Sequence, residues 1–197
     1  MLILLHGVGS NELAMAALME WFDPRFVVVS VRAPIELQPF AFAWFHVTFT
    51  DDGPVIEGDE AVAAWRAAST FVDEAVTAYD ADPTRVFLAG FSQGGIVALG
   101  TILMTPERVA GAVCMSGRLP PELLAHIAPA ERLQAKPMLL VHGVDDEILG
   151  IDFARSAKAF LGTLPVDLEY HEFEMGHSTT DESMAVVAGW LSARLGR

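Results

Sequence analysis

Basic residues and thiols are scarce in this chain. Of 197 residues only 12 are Lys or Arg, against 26 Asp or Glu, a formal net charge of −14. Lys136 and Lys158 are the sole lysines, and no basic stripe is present. Phosphate-rich partners need clustered Lys and Arg, so nucleic acid is a poor partner for this chain and anionic membrane surfaces are disfavoured. A single cysteine, Cys114, excludes an intramolecular disulfide framework. It lies in the apolar run Val109–Met115, where a buried, inert thiol is expected. No apolar stretch approaches the ~18 residues of a membrane span, and Met1–Gly7 lacks the basic start of a signal peptide. The expectation is a cytoplasmic protein with no integral membrane association.

Other signatures are missing too. No Cys pair offers a zinc site, and His171-Glu172 with His177 does not make H-E-x-x-H. The glycines of 90–95 are not followed by Lys-Ser/Thr, and no G-x-G-x-x-G occurs, so a phosphate cradle is excluded. No metal and no cofactor are expected.

What remains is strongly apolar. Hydrophobic residues make up 52% and charged residues 19%, enough to offset the entropy of chain ordering. Short Val/Ile/Leu-rich runs recur at Leu2–Leu5, Phe26–Val31, Val86–Ala89, Ala110–Met115, Met138–Val141 and Leu168–Phe173. Most are continuous rather than alternating, as in parallel strands covered on both faces. Helical patterns separate them. From Asp59 to Tyr79, residues Val62, Trp65, Ala68, Val72, Ala75, Val76 and Tyr79 make one apolar stripe. A second helix is expected over Ile151–Leu161, with Asp152 as N-cap, and a last one over Thr180–Leu195, burying Met184, Val187, Trp190 and Leu191. Alternating strand and helix predict one doubly wound α/β domain over 1–197, with a mostly parallel six-stranded sheet and helices on both faces.

The chemistry centres on Gly90-Phe91-Ser92-Gln93-Gly94, a G-x-S-x-G between the strand ending near Ala89 and the helix-compatible Ile96–Met104. A serine at a tight strand-to-helix turn takes a strained conformation that small neighbours relieve, and the turn lifts its Oγ above the sheet. The following helix N-terminus favours developing negative charge. Such a nucleophile needs an imidazole base and an orienting acid, following it in chain order. His6 and His46 precede Ser92, and His126 precedes the plausible acids. His142 ends a strand and His171 lies within one, packed in the sheet region. His177, in the loop before the last helix, is the expected base. The acid belongs in the loop after Met138–His142, where Asp145 and Asp146 are both open. The Gln93 N–H supplies one oxyanion donor, and the turn His6-Gly7-Val8-Gly9-Ser10 is the place for a second.

Leu4-Leu5-His6-Gly7-Val8-Gly9, Arg32-Ala33-Pro34, Ala43-Trp44-Phe45, Gly90–Gly95, His142-Gly143-x-x-Asp146 and Gly176-His177 stand together in an order that resembles the phospholipase/carboxylesterase family of α/β hydrolases, over nearly the whole chain. The resemblance implies an α/β-hydrolase fold with Asp146 as the acid and the Val8 and Gln93 amides as the oxyanion hole. It implies a serine hydrolase of carboxylic esters working on a small-molecule ester without a metal. Lysophospholipase and acyl-protein thioesterase activities are the alternatives within the family, and a silent binding protein is the alternative outside it. Glu147 and Gly150 stand where members often have proline. Strands that commonly precede the first motif are absent, which places Phe26–Val31 near a sheet edge and suggests a homodimer through that edge. The aromatic stretch 38–46 is expected as a loop, with Phe40, Phe42 and Trp44 beside Phe91 and Met175 as candidate pocket walls. No insertion is long enough for a large lid.

Overall fold

The computed structural model describes residues 1–50 and 53–196. Its centre is a six-stranded, all-parallel sheet in the order β10-β9-β8-β7-β1-β2. The strands are β1 (Leu2–Leu5), β2 (Val28–Val31), β7 (Phe87–Phe91), β8 (Gly111–Met115), β9 (Pro137–Gly143) and β10 (Asp167–Phe173). β1, β8 and nearly all of β9 are buried at every residue, which is why their sequences run apolar without alternation.

Alternate residues of one strand feed two separate cores. Ile3, Leu5, Leu88, Ala112, Cys114 and Leu140 meet α2 (Gly58–Ala78), α3 (Gln93–Met104) and α4 (Ile151–Leu161) on one face. Leu2, Leu4, Ala89, Val113, Leu139 and Val141 meet α1 (Glu12–Ala16) and α5 (Asp181–Leu195) on the other. Each large apolar side chain so removed from water contributes about 1.5–3 kcal/mol. The α3 helix is buried nearly all round, so it packs as a central element and not as an amphipathic cover. Cys114 lies inside the first core, and burial pushes its thiol up to about 12.

The helix boundaries follow local chemistry. Thr180 caps α5 through a reciprocal box with Ser183, and Met184, Val187, Trp190 and Leu191 are buried as the spacing predicts. Asn11 caps α1 by accepting from the Leu13 N–H. Asp152 does not cap α4. That position falls to Gly150, and Asp152 sits in the first turn, where its charge meets the positive helix end. Tyr79 is exposed, because α2 ends at Ala78 and buries Ala61, Ala64, Trp65, Ala68, Val72 and Ala75.

Two hairpins depart from the strand-and-helix alternation. β3 (Ile35–Gln38) pairs with β4 (Ala41–Ala43), and β5 (Val47–Thr50) pairs with β6 (Gly53–Ile56), both antiparallel. The stretch expected as an aromatic loop is therefore in large part a short hairpin with a buried arm. Its strands are too short for the two-residue period to show in the sequence.

The two sheet edges differ. β10 carries Glu169 and Glu172, charges that discourage further strand pairing. His171 lies within β10, paired with Val141 as its place in the sheet region predicts, and its half-exposed ring stands against Glu169 at 2.8 Å. β2, the other edge, presents half-buried Val28, Val29 and Val31. Among the described residues no helix is long and apolar enough to cross a membrane.

Candidate active site

β7 ends in the sharp turn that the G-x-S-x-G spacing predicts. Ser92 sits there at φ 54°, ψ −118°, a left-handed conformation that a side chain rarely adopts. Packing enforces it: a Cβ on Gly90 would stand 2.1 Å from the Gly94 carbonyl oxygen, and one on Gly94 would stand 2.0 Å from that of Leu5. Only glycines let β7, β1 and the start of α3 approach this closely. The Ser92 N–H meanwhile donates to the Met115 carbonyl, extending the sheet ladder into the turn.

The loops after β9 and β10 bring the partners. His177 Nε2 lies 3.0 Å from Ser92 Oγ, and His177 Nδ1 lies 2.7 Å from Asp146 Oδ2. The carboxylate holds the imidazole proton on Nδ1, leaving the Nε2 lone pair towards the hydroxyl. Asp146 is fixed in turn, because its Oδ1 accepts from the Ile148 and Leu149 N–H groups at 2.9 and 2.8 Å. Its side chain is wholly buried, whereas Asp145 is exposed, so the fold brings Asp146 to the imidazole and leaves its neighbour in solvent. Phe91 supports the ring, with centroids 4.9 Å apart.

A second histidine, the first residue of the His142-Gly143-x-x-Asp146 motif, stands behind Asp146. His142 Nε2 donates to the Leu149 carbonyl at 2.6 Å and lies 3.4 Å from Asp146 Oδ2. It thus ties the two ends of the acid loop together. Burial lowers its pKa below the ordinary histidine value, against the opposing pull of the Leu149 carbonyl and the Asp146 charge. His6 is pinned similarly: Nδ1 donates to the Gly7 carbonyl, and Nε2 accepts from the Ala33 N–H at 3.0 Å. Burial lowers its pKa too.

Val8 and Gln93 flank Ser92, and among the described residues neither backbone N–H has an acceptor. Gln93 opens α3, where the first amides of a helix lack internal partners. The Gln93 side chain also binds the neighbouring backbone. Its Oε1 accepts from the Trp44 N–H at 2.8 Å, and its Nε2 donates to the Phe45 carbonyl at 2.6 Å. The buried amide ties the 44–45 segment to the turn.

Two cavities meet at Ser92. The inner one, about 30 Å³, is lined by Val8, Phe45, Val47, Pro54, Ile56 and Arg118, among others. The outer one, about 550 Å³, opens over Gly7, Ser10, Leu18, Phe91, Ile148 and His177. Of the expected pocket walls only Phe91 lines either. Phe40 is 75% exposed, its backbone at φ 64° turning the ring to solvent. Phe42 lies under the Arg32 guanidinium, 4.7 Å from ring to cation. Trp44 donates its Nε1–H to the His6 carbonyl and faces the opposite side of that segment. Met175 is buried in the core under α5, where its sulfur accepts from the Thr180 hydroxyl. The inner wall is formed instead by the β5–β6 hairpin.

The phospholipase/carboxylesterase family model matches residues 1–195. The chain belongs to that family. Carboxylesterase SOBER1 of Arabidopsis thaliana is 26% identical, over 91% of this chain and 70% of its own. Esterase YpfH of Escherichia coli is 30% identical, over 93% of this chain and 78% of its own. A carboxylesterase crystal structure from Mesorhizobium loti superposes with a TM-score of 0.83 at 25% identity, covering 97% of this chain and 87% of that one. The sheet, the flanking helices and the absence of a large lid among the described residues are those of an α/β hydrolase. Within this family member, a serine, an imidazole and a buried carboxylate in hydrogen-bonded series can move a proton off an alcohol as it attacks a carbonyl.

Proposed function

We propose that the protein is a serine hydrolase of carboxylic esters. The observation that carries this reading is the continuous series from Ser92 Oγ through His177 to Asp146, at 3.0 and 2.7 Å. Ser92 Oγ attacks the ester carbonyl carbon while His177 Nε2 takes its proton. Asp146 remains ionised and stabilises the imidazolium. The carbonyl oxygen becomes an oxyanion, held by the Val8 N–H and by the Gln93 N–H at the start of α3. Such donors are each worth about 10²–10³ in kcat. His177 then returns the proton to the departing alcohol. Water, deprotonated by the same imidazole, releases the acid and restores Ser92.

The inner cavity is the acyl side in this reading and the open outer cleft is the alcohol side. A chamber on the order of 30 Å³ fits a short acyl group better than the long chain of a lysophospholipid or a palmitoyl thioester. Stoichiometric labelling of Ser92 by a fluorophosphonate tests the nucleophile, and an unlabelled, folded protein refutes it. Turnover of short p-nitrophenyl esters should exceed that of palmitoyl thioesters and lysolecithin; the opposite ranking moves the assignment to the lipid-directed members. The apolar β2 edge is the surface for pairing with a second copy, and sedimentation at micromolar concentration should give twice the 21.3 kDa chain mass. A monomeric mass removes that pairing.

A further inference from the structure

Arg118 stands out among the basic residues. Arg25, Arg32, Arg108, Arg132, Arg155 and Arg194 each reach a carboxylate. Arg118 is only 8% exposed, yet among the described residues it forms no ion pair. Its Nη2 donates to the Pro54 carbonyl at 2.9 Å, its guanidinium lies 5.4 Å from the Phe153 ring, and its buried Nε has no partner among those residues. Glu122 acts on it only at longer range, and the Glu122 Oε2 is itself buried without a partner there. A buried charge is costly unless something compensates it.

The position of this charge is informative. Arg118 follows the left-handed Ser116 just beyond β8, the strand next to the one that carries Ser92. It lines the inner cavity together with Ser92, and the rest of that wall is largely apolar: Val47, Pro54, Ile56 and Leu149. A buried guanidinium without an ion pair, bordering a small and mostly apolar cavity, is suited to one kind of guest, an anion with paired oxygens. In the hydrolase reading above, this cavity takes the acyl end of a substrate bound at Ser92.

We propose that Arg118 makes the inner cavity a carboxylate receptor, so that the preferred substrate is a half-ester of a short dicarboxylic acid; this rests on the hydrolase reading above. The free carboxylate pairs with Arg118 while the ester carbonyl lies at Ser92 Oγ. Attack forms the Oγ–acyl bond and breaks the bond to the alcohol, which leaves with the proton taken by His177. Water then releases the dicarboxylate. The pocket thus selects on charge as well as on length.

The test compares monomethyl succinate with methyl succinamate, a neutral ester of nearly the same shape, by methanol release. The unsubstituted protein should favour the charged ester by roughly tenfold to a hundredfold in kcat/KM, as for a hydrogen bond to a charged group. Arg118→Met should collapse that ratio towards one, and Arg118→Lys should restore part of it. A ratio at or below one in the unsubstituted protein, or a ratio untouched by Arg118→Met, overturns the proposal. Should Arg118→Met fail to fold, inhibition of the unsubstituted protein decides. Succinate must then inhibit turnover of the neutral ester more strongly than the uncharged diamide succinamide does, and equal inhibition overturns the proposal. Loss of turnover on both esters together with no fluorophosphonate label on Ser92 is a different result, the failure of the hydrolase reading itself.

Discussion

The two halves of the site are held in place by different physics. The serine half is fixed by close packing: β7, β1 and α3 approach so tightly at Gly90 and Gly94 that no Cβ fits. The half supplying Asp146 and His177 is fixed by hydrogen bonds between buried polar groups. Val144 and Asp145 donate from the acid loop to the carbonyls of Phe173 and Met175 at the base loop, and His142 closes the acid loop on Leu149. Packing specifies a position through steric exclusion and shows no titration near neutral pH. A polar network specifies it through protonation states and donor counts, and is therefore open to pH and to isosteric substitution.

Substitutions sharpen this contrast. The largest effect on activity belongs to Ser92→Ala, which should cut kcat by about 10⁴ or more and leave the melting temperature unchanged, checked by turnover and calorimetry together. Gly94→Ala should act on folding, since its Cβ would meet the Leu5 carbonyl; a soluble variant with ordinary stability would show that the packing half can yield. Asp146→Asn keeps the shape of the polar half but presents an amide to His177. It should lower kcat by about 10³–10⁴, with a small change in stability measured by denaturant.

His142→Gln is milder. Gln can still donate to the Leu149 carbonyl, so activity should fall by about tenfold, and full activity would show that the ring does not position Asp146. The smallest effect is on stability against pH. His142 and His6 both have folded pKa values below the ordinary one, because burial disfavours the imidazolium. Their stabilising contributions are complete above about pH 6.5 and are lost as pH falls through the lowered folded values. The melting temperature should therefore drop on acidification from pH 7 to pH 5, and His142→Gln should flatten that slope. Glu12, Asp23 and Glu172, held at about 2 by Arg32, Arg25 and Arg155, do not reach their folded values in that window.

The same contrast governs what could be read without coordinates. Packing leaves a local trace in sequence, so the continuous apolar runs marked six strands and the glycines around Ser92 marked the turn. His177 was legible because chain order and a loop position narrowed six histidines to one. The polar half was less so: Asp145 and Asp146 differ only in which side chain the backbone of loop 143–150 turns inward, and that emerges from contacts with 173–175. His142 looked like an ordinary strand end because its partner, the Leu149 carbonyl, belongs to no motif. The pocket walls failed for a similar reason. Aromatic composition suggested Phe40, Phe42 and Trp44, but the β3–β4 hairpin directs them elsewhere, and the β5–β6 hairpin supplies the lining.

The left-handed backbone at Ser92 makes this the position where foldability and chemistry pull apart. Glycine would occupy the same geometry without crowding, and relief of such strain is worth about 1 kcal/mol or more. A lineage freed from the need to cleave anything would gain robustness by discarding the hydroxyl. In the proposed hydrolase reading, the hydroxyl stands at a position where backbone strain alone would favour glycine.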